Sequence, residues 1–195
     1  LTVIDFDAPK NIKKVNESKR VIVFTPTTGL VRMEWVAARY GQIIPTNWGM
    51  LDMQQFVSAY APIEYQLADA QNLLVNRIVE FNCEWVIFIE HDNVIPKDLF
   101  MRFNQYMNEK KYPVVSGLYF TKSVPPEPIL YRGRGNSFFR NWKLGDKVMV
   151  DGVPFGCLLV HGSLIKAMYE EAEEYKVGGE TVRKVFHQPE RMWID

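Results

Sequence analysis

The chain predicts an α/β fold, a single domain whose mainly parallel central sheet is flanked by helices. Three observations carry that reading. Short runs of β-branched and aromatic residues alternate with longer stretches in which apolar residues recur every three or four positions. The run Trp85-Val86-Ile87-Phe88-Ile89 is apolar throughout, as suits a strand covered on both faces of a parallel sheet. With 195 residues, 47% of them hydrophobic and 13% aromatic, the chain can bury a substantial core.

In chain order, residues 1–19 are mixed and lysine-bearing and read as an arm. Val21–Phe24 is the first strand, and it runs into the hydroxyl-rich loop Thr25-Pro26-Thr27-Thr28-Gly29. Val31 to Tyr40 reads as a helix closed by Gly41. A strand, a loop of small residues and a helix form a common start to an anion site, because the first backbone N–H groups of the helix lack partners. The same pattern is also a plain βα connection. Neither GxGxxG nor GxxxxGK[ST] is present, so no dinucleotide fingerprint or Walker loop is supported.

Gln42–Pro45 reads as a short strand and Asn47–Gly49 as a turn. A long helix is predicted from Glu64 to Phe81, its buried stripe marked by Leu67, Ala70, Leu74, Ile78 and Phe81. Asp69, Gln71, Asn72, Asn76 and Arg77 ride on it, most of them read as a solvated face. Lys97–Lys110 is the next helix, with Leu99, Phe100, Phe103 and Met107 apolar. Pro113–Phe120 is a strand, and the proline-rich connection 121–128 cannot be a helix interior. Ile129–Tyr131 reads as a short strand, and Arg132-Gly133-Arg134-Gly135 as a basic loop able to close over a diphosphate, or simply exposed. Phe155–Val160 is a buried strand. His161-Gly162-Ser163 opens a helix to about Glu174, and residues 176–195, after a break at Gly178-Gly179, form a tail.

Twenty-three lysines and arginines balance 23 aspartates and glutamates, which argues against a general nucleic-acid or membrane-surface binder. Two cysteines, Cys83 and Cys157, are too few for a disulfide framework; free thiols and a cytoplasmic location are expected. No apolar run approaches a membrane span, and no signal peptide is visible. Because the chain opens at Leu1, its native start is expected to lie upstream or to have been processed.

Glu90-His91-Asp92 follows the most apolar strand directly. In open α/β sheets ligands bind outside the carboxyl ends of the strands. Two acids spaced i and i+2 at such a turn can reach one point, and converging carboxylate oxygens suit Mg²⁺ or Mn²⁺. The plainer alternative is a loop in which these acids cap the helix near Lys97.

In combination these segments resemble a nucleotide-sugar glycosyltransferase of the GT-A fold, nearest to the family 2-like enzymes. The strand and loop Val21–Thr28 stand where the nucleotide base would lie. Ala70-Gln71-Asn72, followed by Glu90-His91-Asp92-Asn93-Val94-Ile95-Pro96, is similar to the family's "ARN" helix and DxD strand. Val115–Phe120 and Val150-Asp151-Gly152-Val153-Pro154-Phe155-Gly156 through Val160 are similar to its "vvgglyf…vdgvgtGflli" segment. The likeness covers roughly residues 20 to 170. Glu90 replaces the usual first aspartate and Gln71 the usual arginine. No Glu-Asp pair of the kind that supplies the family's base follows Trp193, so either the segment is cut short or the base comes from elsewhere.

The resemblance implies metal-dependent transfer of a sugar from a nucleotide-diphosphate sugar, UDP ahead of GDP, to an acceptor hydroxyl on a glycan, lipid or protein. It implies Asp92 as a direct ligand of Mn²⁺ or Mg²⁺, with His187 as a further ligand or simply a structural residue. Thr25, Pro26, Thr27, Asp69, Asn72 and Glu90 are the candidates for binding the nucleotide. Asp151 is the candidate acceptor ligand or base, its alternative being an Asp-Gly turn. Trp142 and Trp193 are candidate sugar platforms or core residues. Two other functions compete: a sugar nucleotidyltransferase, and a catalytically inactive GT-A-like domain that binds a glycan or partner.

Overall fold

The computed structural model describes residues 20–49, 63, 65–133 and 138–187. The arm at 1–19, the stretch 50–62, Arg134 and Trp193 lie outside the described residues. Six strands and four helices alternate along the rest. They are β1 (Val21–Phe24), α1 (Met33–Tyr40), α2 (Leu67–Glu80), β2 (Trp85–Ile89), α3 (Leu99–Glu109), β3 (Val114–Ser116), β4 (Cys157–His161), α4 (Gly162–Glu171), β5 (Glu174–Val177) and β6 (Glu180–Arg183).

The central sheet has the order β1-β2-β4-β3. β1 and β2 run parallel, with Phe24 opposite Phe88, while β4 lies antiparallel to both β2 and β3. The α/β class holds, but the expected mainly parallel sheet does not, since two of its three pairings are antiparallel. The physical reason is β4: its run Cys157–Val160 is as apolar and as buried as β2, and such a run fits a central position in either direction.

Side chains alternate across this sheet. Val21, Val23, Trp85, Ile87 and Ile89 face a cluster completed by Trp48 and, from α3, Phe100, Phe103 and Met107. Ile22, Phe24, Val86, Phe88, Leu158 and Val160 face the other cluster, with Ala70, Leu74 and Ile78 from α2 and Ile165 from α4. Both ring-bearing positions of the parallel pair meet edge to face, Phe24 and Phe88 lying 5.7 Å apart.

Several local expectations change. Gln42–Pro45 is not a strand: the Gln42 amide donates to the carbonyls of Ala38 and Pro96, making an irregular tie between α1 and the approach to α3. The strand expected over Pro113–Phe120 contracts to Val114–Ser116, and Tyr131 joins Phe138 and Gly152 only through isolated bridges. The α2 stripe is wider than its apolar residues, because Gln71 and Asn72 are buried as well. The tail contains a hairpin: β5 and β6 pair antiparallel with Val177 opposite Glu180. Gly178 and Gly179 occupy its two-residue turn at φ +55° and +86°, the backbone that such turns require.

Candidate functional site

The parallel strands β1 and β2 end side by side, which sets the loop starting at Thr25 next to the loop starting at Glu90. Thr25 is 3% exposed, and its Oγ1 has no hydrogen-bond partner among the described residues. Thr27 steadies the loop by accepting from the Gly29 N–H at 3.1 Å, and Pro26 lies between them, half-buried. From α1, Trp35 donates through Nε1 to the Glu90 carbonyl at 2.9 Å. The first helix is thereby fastened to the acidic turn.

On the other side the wall is the start of β4. Gly156 accepts from the Glu90 N–H at 3.1 Å and donates its own N–H to Tyr119 Oη at 2.7 Å. A Cβ at Gly156 would collide with Asn93 Nδ2 and Tyr119 Oη, so any other residue here would displace one or both of these side chains. The buried Asn93 Nδ2 is a second polar atom without a partner. Buried polar groups are normally satisfied, yet Asn93 Nδ2, within the acidic turn, and Thr25 Oγ1, after the neighbouring end of β1, have no partner among the described residues.

The two acids differ in their surroundings. Among the described residues the Glu90 carboxylate has no hydrogen-bond or ion-pair partner, and burial, followed by the charge of Asp92, pushes its pKa above the ordinary value. Asp92 is more exposed and pairs with Lys122, Nζ to Oδ2 at 2.6 Å. Desolvation pulls the Asp92 carboxyl upward, but the Lys122 hydrogen bond and charge, aided by His91, outweigh it and hold the group below its usual range. Tyr119 is held well above the usual phenol range by burial and then by the Glu90 charge. Burial pushes the Cys157 thiol up to about 11; neither it nor Cys83 forms a disulfide, and both are buried.

The remaining sequence candidates lie elsewhere. Asn72, fully buried, gives Nδ2 to Tyr175 Oη at 2.7 Å and to the Phe186 carbonyl at 2.8 Å, and Oδ1 accepts from the Phe186 N–H at 2.8 Å. Its amide therefore ties α2 to the hairpin and the segment after it. Asp69 accepts from Tyr175 Oη at 2.8 Å and, with His187, Gln66 and Glu174, lines a shallow depression on that side. Asp151 is exposed; its Oδ2 accepts from the Gly133 N–H at 2.6 Å, so it caps the start of the basic loop. Arg132 stacks over Phe139 at 5.1 Å, and Trp142 lies 6.1 Å from Phe120.

Asn93, Tyr119 and Lys122 belong to the acidic corner without having been singled out by sequence. Asn93 had a signal, sitting one residue beyond Asp92; a lone lysine in a proline-rich loop and a tyrosine in a strand had none. Among the described residues no group of three or more His, Cys, Asp or Glu side chains is arranged to hold a metal ion. Glu90 and Asp92 supply two hard-oxygen donors, a set that fits a Mg²⁺- or Mn²⁺-type ion completed by substrate phosphates and water. No helix among the described residues is long and apolar enough to cross a membrane. Comparison with protein-family models, curated proteins and solved structures gives no match.

Proposed function

We propose that this chain is a glycosyltransferase of GT-A type, moving a sugar from a nucleotide-diphosphate donor, UDP-linked in preference to GDP-linked, to an acceptor hydroxyl. The observation that carries this reading is the corner where β1 and β2 end. Glu90, a carboxylate without a partner among the described residues, stands beside Asp92 in the turn that carries the orphaned Asn93 Nδ2, and the orphaned Thr25 Oγ1 follows the adjoining end of β1. Unsatisfied groups gathered outside the ends of parallel strands are placed for a polar ligand.

In this reading Thr25, Pro26 and Thr27 line the base and ribose, and Glu90 takes a ribose hydroxyl or a water of the cation. Asp92 holds the cation, Mn²⁺ or Mg²⁺. When bound, such an ion stabilises the negative charge that builds on the departing diphosphate. Asp151 is kept for the acceptor hydroxyl, as the exposed acid ahead of β4.

The test is calorimetric titration of UDP and GDP, with and without Mn²⁺, on the wild type and on Asp92→Ala. Manganese-dependent UDP binding by the wild type, weakened at least tenfold in the variant, is the expected result. A folded wild type that binds neither nucleotide removes the donor-site reading and leaves the partner-binding one.

A further inference from the structure

We propose that Lys122 works in two positions, resting on the proposed donor-site reading. It neutralises Asp92 while no divalent cation is present, and it transfers to the donor's diphosphate when a cation takes Asp92. The ion pair itself is the starting point: Lys122 Nζ lies 2.6 Å from Asp92 Oδ2, on the acid that the cation would need.

The root of this lysine is fixed while its tip is not. Thr121 donates its N–H to the Glu127 carbonyl at 2.8 Å, and Glu127 returns its N–H to Thr121 Oγ1 at 2.9 Å. Arg140 grips the Glu127 carboxylate with two hydrogen bonds, at 2.9 and 2.7 Å. Ser123 adds bonds to Thr121 Oγ1 at 2.6 Å and to the Pro125 carbonyl at 3.0 Å. The residues on both sides of Lys122 are therefore held, yet its side chain is 83% exposed and Asp92 is its only partner among the described residues.

An ion pair this exposed contributes about 0–1 kcal/mol. A divalent ion with twice the charge displaces the ammonium at small cost. The freed ammonium, with three donors on a four-carbon stem, suits phosphate oxygens. A diphosphate held by a cation at Asp92 would stand close to this ammonium, which already reaches Asp92 Oδ2.

The experiment is Mn²⁺ titration without nucleotide on the wild type, Lys122→Ala and Lys122→Arg, followed by UDP and uridine titrations with Mn²⁺ present. Lys122→Ala is expected to bind Mn²⁺ about two- to five-fold more tightly, the loss of a competing ion pair of that size. It is expected to bind UDP about tenfold more weakly with uridine affinity unchanged, as for a lost charge-assisted contact. Lys122→Arg keeps both wild-type values. Unchanged or weaker Mn²⁺ binding by Lys122→Ala overturns the proposal, as does tighter Mn²⁺ binding with undiminished UDP affinity. Failure of the wild type itself to bind UDP overturns the functional reading and the transfer to diphosphate together, and is told apart by occurring without any substitution.

Discussion

Glu90 is held in a state that folding does not favour. Its carboxyl is largely withdrawn from water, faces the Asp92 charge and finds no partner among the described residues. Its folded pKa is raised, so the folded chain keeps this proton to a higher pH than the unfolded chain does. The associated stability is present below the unfolded carboxyl value and is lost as pH rises through the raised folded one. At neutral pH the charge is a destabilising load. Glu90→Gln is therefore expected to stabilise the protein at pH 7 by about 1 kcal/mol, the lower end for relieving an unsatisfied buried group. The gain should shrink toward zero near pH 4, where the wild-type carboxyl is protonated too. Urea denaturation at the two pH values measures both. Equal stability of wild type and variant at pH 7 would show that Glu90 is solvated, and would remove the strain on which the proposed site partly rests. Asp92 has the opposite sign: its pKa is lowered, so its contribution is present above the unfolded value and fades as pH falls through the folded one.

At the scale of elements, the sequence disclosed the helices better than their polar residues. The spacing of Leu74 and Ile78 announces the buried face of α2, but an asparagine between such positions carries the same letter whether solvated or buried. Asn72 is buried because the returning chain at Phe186 presents both an N–H and a carbonyl to its amide. That pairing spans more than a hundred residues and has no local signature. The β5–β6 hairpin was hidden for a related reason: Glu174-Tyr175-Lys176-Val177 is short and polar, and only the Gly178-Gly179 pair marked a turn. Phe186 continues the tie, packing on Phe88 at 6.2 Å and Phe155 at 5.4 Å. Asn72→Ala strands the Phe186 N–H and carbonyl and leaves the Tyr175 hydroxyl only its bond to Asp69. The expected loss is about 2–3 kcal/mol, set by unsatisfied buried groups rather than by lost bonds. Hydrogen exchange should accelerate first at Val182 and Phe186, with β1 and β2 protected until global unfolding. Exchange that rises equally in β1 would mean that the tail is not a separable unit.

For the molecule as a whole, the sequence marked the candidate site more clearly than how the sheet is wired. Position followed from the abrupt change at Ile89–Glu90, where a fully buried strand meets charge. Direction did not, because Cys157–Val160 has no outward polar face from which orientation could be read. That antiparallel strand has a functional consequence. Its first turn, at Gly156, is brought back to the carboxyl end of β2, where it bonds Glu90 and Tyr119. The acidic corner is thus assembled from β1, β2, the loop after β3 and the start of β4, so a ligand there braces the sheet rather than one loop. Binding to the folded form alone stabilises by mass action, about 2.7 kcal/mol at a hundredfold excess over Kd. For a chain of this size each kcal/mol moves Tm by roughly 2–4 °C. UDP with Mn²⁺ at that excess should therefore raise Tm by roughly 5–10 °C in the wild type and by no more than roughly 3–6 °C in Asp92→Ala, whose affinity is at least tenfold lower. The same ligand should slow hydrogen exchange at Val160 and Val115, two and three strands away from the β1 loop. Calorimetric binding with no change in Tm would place the ligand on a segment that opens independently of the sheet, and the corner formed by β1, β2 and Gly156 would no longer be its site.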